Sequence, residues 1–188
     1  RWRSRTQGRF LGVHENRMLI FRDWDGEVWE REIQSGELGT IHTLKDAIDG
    51  HAVYCNGYIF YTALLASIEP YKAVISVEGK FDKEPQMKLR VVVMRYDIRT
   101  KLFRPVCPVD KGLLYIECLD NRLLLVYGQE GPKFKKITAF DTNTLIKSWE
   151  FESPRYFTNY KIQPEWLHIL FAIDSYSAIM HTYPLQEK

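Results

Sequence analysis

The sequence predicts an all-β fold made of four repeated antiparallel units, and three observations carry that prediction. A turn-forming Asn opens an apolar run at three places, and a second turn signature recurs further along the units. No stretch of a dozen residues carries apolar positions at three-four spacing behind a recognisable cap, so helices are not expected.

The apolar runs are Met18-Leu19-Ile20-Phe21 after Asn16-Arg17, Tyr58-Ile59-Phe60-Tyr61 after Asn56-Gly57, and Leu123-Leu124-Leu125-Val126-Tyr127 after Asn121-Arg122. A fourth copy puts Glu165 in the Asn position and keeps the strand as Trp166-Leu167-His168-Ile169-Leu170-Phe171. Starting positions 16, 56, 121 and 165 are separated by 40, 65 and 44 residues. A period of about 40 to 45 fits, with the long interval holding a polar insertion near residues 66–89 that contains Pro70, Gly79 and Pro85.

The second signature is an aromatic followed by Asp-x-x-Thr. It occurs as Tyr96-Asp97-Ile98-Arg99-Thr100 and Phe140-Asp141-Thr142-Asn143-Thr144, and in weaker form as Glu32-Ile33-Gln34-Ser35. Such a carboxylate can accept from backbone amides two and three residues on, while the hydroxyl ties the far side of the turn. A tight turn between the last two strands of each unit follows, and it sets their register. Thr43 to Val53 reads as a loop with one helical turn at most, closed by Gly50 and the strand-like Ala52-Val53-Tyr54-Cys55.

A unit of this length with three or four short strands cannot cover both of its faces, and stacking units around an axis solves that problem. One domain spanning residues 1–188 is therefore expected as a β-propeller-like fold of about four antiparallel blades of 40–45 residues. It is either a complete small propeller or part of a larger one, a choice that the abrupt start at Arg1 tilts toward the larger. The Asp-x-x-Thr turns at 97–100 and 141–144 resemble those of kelch-like and quinoprotein-like propeller repeats. The chain departs from the kelch pattern in lacking paired glycines before the second strand, and Trp24-Asp25 stands in the wrong place for a WD repeat. Four blades also resemble the hemopexin count, without cysteines placed to join the first and last blades.

Composition narrows the function classes. A net charge of +2, from 26 basic and 24 acidic residues, is too small to gather phosphate backbones, so nucleic acid is not an expected partner. The basic aromatic leader with Arg1, Trp2, Arg3, Arg5, Arg9 and Phe10 reads as a solvated segment packing an aromatic on the first blade. The longest apolar runs fall far short of the ~20 residues of a spanning helix, so no membrane role is expected. Arg1-Trp2-Arg3-Ser4-Arg5 has no apolar stretch behind it and is not a secretory signal. Cys55, Cys107 and Cys118 form no CxxC pair, and their odd number reads as reduced thiols. With no Asn-x-Ser/Thr sequon, that points to an intracellular protein, cytoplasmic or nuclear.

No catalytic, cofactor or metal site is predicted. Asp23-Trp24-Asp25-Gly26 lacks the further oxygens of a calcium loop and reads as an Asp-Gly hairpin turn. His14, His42, His51, His168 and His181 have no i, i+4 pairing, and His51 with Cys55 lacks the orienting third group of a nucleophilic site. The expected function is a non-enzymatic protein-interaction scaffold whose loops bind protein partners, with oligomeric state left open. The expected contact residues are Trp24, Trp29 and Trp166, with Tyr71, Lys72, Lys80 and Phe81 of the insertion. The kelch-like resemblance implies one concrete form, substrate recognition for a ubiquitin ligase. Two alternatives stand beside it: a glycoside-acting enzyme or small-ligand binder using acids such as Asp23, Asp25 or Asp174 in an axial funnel, and an architectural subunit of a large assembly.

Overall fold

The computed structural model describes residues 8–68, 87–109, 111–119, 121–129, 133–163, 165–172 and 177–185. These form fifteen strands and no helix, in four antiparallel sheets that follow one another along the chain. The first sheet is β1 (Arg9–His14), β2 (Arg17–Arg22), β3 (Glu27–Glu32) and β4 (Leu38–Thr43). The second is β5 (Ala47–Cys55), β6 (Tyr58–Ile68), β7 (Met87–Asp97) and β8 (Phe103–Pro108). The third is β9 (Leu113–Leu119), β10 (Arg122–Gln129), β11 (Lys133–Asp141) and β12 (Lys147–Phe157). The last has three strands, β13 (Asn159–Gln163), β14 (Trp166–Ala172) and β15 (Ala178–Pro184).

Each repeated Asn sits in the turn before the second strand of its sheet. Asn16, Asn56 and Asn121 all take the left-handed conformation, at φ 64°, 50° and 63°, which Asn tolerates better than other side chains. The second signature also forms as its chemistry requires. Asp97 Oδ1 accepts from the amides of Arg99 and Thr100 at 2.9 and 3.1 Å, and Asp141 Oδ1 from those of Asn143 and Thr144 at 3.0 and 2.7 Å. In the first sheet Ser35 Oγ donates to Glu32 Oε2 at 2.6 Å and accepts from the Glu37 amide. The fifth residue of each turn is left-handed: Gly36, Lys101 and Leu145, at φ 73°, 58° and 62°. The Asp25-Gly26 pair turns β2 into β3, with the Gly26 amide donating to the Arg22 carbonyl at 3.1 Å.

Alternating side chains of one strand enter different seams. Ile59, Tyr61 and Ala63 pack with Leu19, Phe21 and Val28 of the first sheet, while Phe60 packs with Leu123 and Leu125 of the third. In turn Leu124, Ile137 and Ala139 face Leu167 and Ile169 of the last sheet. This is the sheet-against-sheet stacking that covers both faces of an interior blade.

The first strands of the sheets touch in chain order. His14 Nδ1 of β1 lies 2.9 Å from the Tyr54 hydroxyl of β5, and a disulfide joins Cys55 of β5 to Cys118 of β9 across a Cα separation of 5.8 Å. Tyr160 of β13 donates to Glu117 Oε2 of β9 at 2.6 Å. Two expectations are corrected here. Cys55 and Cys118, 63 residues apart, are not reduced thiols, because stacking brings the ends of β5 and β9 side by side; Cys107 alone is free of a disulfide. Thr43 to Val53 holds no helical turn, since the chain passes from β4 to β5 in three residues with Leu44 buried as an anchor.

Candidate functional site: the free face of the first blade

Pairing register places two rows of side chains across the face of the first sheet that points away from the second. One row is Phe10, Ile20, Trp29 and Ile41, and the other is Val13, Met18, Arg31 and Leu38. Paired residues share a face, so seven apolar side chains and one arginine form a continuous surface. Phe10 is 60% exposed and Ile41 44%, whereas Leu19, Phe21 and Val28 on the opposite face are fully buried.

Trp24 and Trp29 both border Arg22 at the β2–β3 end of this face. The Arg22 guanidinium stacks between them, 4.8 Å from the Trp24 ring centroid and 4.2 Å from that of Trp29. Asp25 and Glu27 hold the guanidinium at 3.0 and 3.5 Å, and Trp29 Nε1 donates to Glu27 Oε2 at 2.8 Å. Arg31 packs on Trp29 and donates to the Gly36 carbonyl, while its Nε has no hydrogen-bond partner among the described residues. Locked aromatic and arginine side chains on an apolar sheet face have the composition of an interface hot spot, at low ordering cost.

Trp166 lies at the other end of the fold. It shares the outward face of the last sheet with His168, Leu170 and Met180, and is 43% exposed. The three tryptophans therefore do not form one surface: Trp24 and Trp29 belong to the first blade, Trp166 to the fourth. Tyr71, Lys72, Lys80 and Phe81 lie outside the described residues. The strands that lead to them, β6 and β7, pair as far as Ile68 and Met87 and project beyond the partner strands β5 and β8.

Other polar groups are engaged in holding blades together. His42 bridges the Glu30 carboxylate at 2.8 Å and the Tyr96 hydroxyl at 2.9 Å in the first seam, and all three are buried. Arg95 donates to the Thr142 and Asn143 carbonyls of the third sheet, both at 2.9 Å. Burial first, and then its bond to Glu117, push the Tyr160 phenol far above the ordinary range. Asp23 and Asp25 sit in the β2–β3 turn beside Arg9 and Arg22, and Asp174 lies outside the described residues. Among the described residues no three potential ligands gather as a metal site. A half-open cavity of about 380 Å³ at the turn ends is lined by His14, Glu15, Tyr54, Asn56, Asp97 and Arg99. Its Glu15 and Arg99 pair with each other at 3.5 Å. No helix among the described residues is long and apolar enough to cross a membrane.

No protein-family profile matches the chain, and no curated protein matches it. Solved structures do. The computationally designed Ika4 protein is similar at a TM-score of 0.55 and 10% identity, over 96% of this chain and 94% of its own. Porphyromonas gingivalis dipeptidyl peptidase 4 is similar at 0.53 and 11% identity, over 96% of this chain and 31% of its own.

The fold is propeller-like. At these identities the likeness concerns architecture alone, and the chain spans about a third of the peptidase. What sequence reasoning missed is the first-blade surface as a whole. Phe10, Val13, Met18, Ile20, Leu38 and Ile41 look like ordinary strand residues, and only the cross-strand register shows that they share one face.

Proposed function

We propose that this protein is a non-enzymatic interaction module that docks a protein on the free face of its first blade. One observation carries the reading: two complete cross-strand rows, apolar but for Arg31 and with Phe10, Val13, Leu38 and Ile41 exposed, lie beside an Arg22 guanidinium held between Trp24 and Trp29. Soluble proteins rarely leave a contiguous apolar sheet face uncovered without a binding use for it. The projecting β6–β7 hairpin supplies a second contact element, with the insertion it carries.

The Cys55–Cys118 bond favours an oxidising compartment over the cytosol or nucleus, which weighs against the ubiquitin-ligase form of this reading. Thiol trapping in native cells before lysis tests that point: alkylation of Cys55 and Cys118 without prior reduction refutes it.

The docking reading is tested by affinity capture with the wild-type chain beside a Phe10→Glu, Ile41→Glu variant. Both positions are exposed, so the variant keeps its core. A protein held by the wild type and lost by the variant supports the reading; equal retention of every captured protein by both ends it.

A further inference from the structure

We propose that the half-open cavity between the first and second blades binds a single sugar unit through its neutral, neighbouring hydroxyls. The site is separate from the docking face and does not rest on that reading. It lies where the β1–β2, β5–β6 and β7–β8 turns meet, and its volume of about 380 Å³ is that of a small ligand pocket.

The repeat closes the equivalent place in the next seam. There the Arg95 guanidinium reaches across to the Thr142 and Asn143 carbonyls, both at 2.9 Å, and Asn56 Nδ2 donates to Asn121 Oδ1. Glu30 holds the register position of Arg95 in the first blade, two residues before the turn acid, since Glu32 pairs with Arg17 as Asp97 pairs with Tyr58. A carboxylate cannot donate to carbonyls, and Glu30 is bound instead by His42 Nε2 at 2.8 Å within the first seam. The donor that ties down the turn in the second seam therefore has no counterpart at this position of the first, and the cavity stands at that turn end.

The groups around the cavity select against a charged ligand. Glu15 and Asp97 repel an anion, while Arg99, 3.5 Å from Glu15, opposes a cation. The Glu15 and Arg99 side chains are 67% and 76% exposed, so their pair is weak and parts around a ligand at little cost. Parted, the carboxylate accepts from hydroxyls and the guanidinium fork donates to them, which suits neighbouring hydroxyls that each donate and accept. The groups beside them are placed in advance. Tyr54 Oη accepts from the Gly57 amide at 3.1 Å and holds His14 Nδ1 at 2.9 Å, which sets His14 Nε2 3.8 Å from Glu15 Oε1. Asp97 is fixed by the Arg99 and Thr100 amides, and Tyr58, with Arg95 at 4.4 Å from its ring centroid, adds an aromatic wall for the C–H surface of a pyranose.

The test is an NMR titration of the isotope-labelled full chain with the methyl pyranosides of glucose, galactose, mannose and N-acetylglucosamine, with zwitterionic glycine as the comparison. A ligand of about a dozen heavy atoms binds near the millimolar range, so at least one glycoside should shift the Gly57, Arg99 and Thr100 amide signals saturably below about 50 mM. Arg99→Ala and Glu15→Gln alter exposed side chains, so both variants keep the fold, and each should weaken that binding by at least about tenfold. No saturable shift with any of the four glycosides overturns the proposal. So do glycoside shifts that persist at full affinity in both variants, which place the binding elsewhere. Saturable shifts with glycine and none with a glycoside also overturn it, since the cavity then takes a zwitterion between Glu15 and Arg99.

Discussion

Strands β6 and β10 of the two middle blades differ from β2 and β14 of the two end blades in one respect, and the difference reveals how the molecule is put together. From Ile59 to Ala63 and from Leu123 to Val126 every residue is buried, whereas β2 and β14 bury alternate residues only. Continuous burial means neighbours on both faces; alternation means a neighbour on one. The same repeat therefore makes a core in the middle and a surface at each end.

The largest effect that tests this contrast comes from truncating a phenylalanine in a middle blade and one in an end blade. Phe60 is fully buried in the second seam, and Phe60→Ala should lower the unfolding free energy by about 3–5 kcal/mol in urea titrations. Phe10→Ala, on the free first-blade face, should stay within about 0.5 kcal/mol of wild type. Comparable losses at both sites would mean that the first-blade face is covered in solution.

The disulfide sharpens the contrast, because it ties the two middle blades and neither end. Closing a loop of 63 residues should contribute about 2–4 kcal/mol, lost in the Cys55→Ser, Cys118→Ser variant. Reductant should destabilise the wild type by a similar amount and leave the double variant unmoved. Reductant that shifts the variant as much as the wild type would show that the bond does not staple this seam.

A smaller effect follows pH. Hydrogen bonds from the Thr144 amide and hydroxyl and the Asn143 amide outweigh desolvation at Asp141 and hold its carboxyl below the ordinary range; at Asp97 those from Thr100 and Arg99 do the same against a larger desolvation. A pKa lowered on folding adds stability that is complete above the unfolded value of 3.8 and is lost as pH falls through the folded one. Asp141→Ala should cost about 1–2 kcal/mol at neutral pH and flatten the acid side of the stability curve below about pH 4. An unchanged acid limb in that variant would remove Asp141 as its source.

These turns are also where the sequence was most readable. Asp97, Asp141 and Glu32 each act within five residues of themselves, and so do the left-handed Asn16, Asn56 and Asn121, so local chemistry is enough to expect them. The seams depend on residues far apart. Nothing near Cys55 announces Cys118, and nothing near Phe10 shows that it shares a row with Ile41, because strand register and blade stacking decide both. Trp24 and Trp29 could be chosen as candidate contact aromatics from residue type, but the guanidinium of Arg22 between them emerges only when β2 and β3 pair.

The smallest expected effect compares the turns themselves. Gly36 takes the left-handed fifth position of the first-blade turn without a Cβ penalty, while Lys101 and Leu145 occupy it in the middle blades at φ 58° and 62°. Leu145 is partly buried in the second seam, so its side chain offsets the backbone cost. Lys101 is exposed. Lys101→Gly should therefore stabilise by about 0.5–1 kcal/mol, and Leu145→Gly should destabilise, since its lost packing exceeds the relieved strain. If both glycines stabilise alike in urea titrations, the Leu145 side chain adds nothing to the seam, and the continuous burial that distinguishes the middle blades does not extend to their turns.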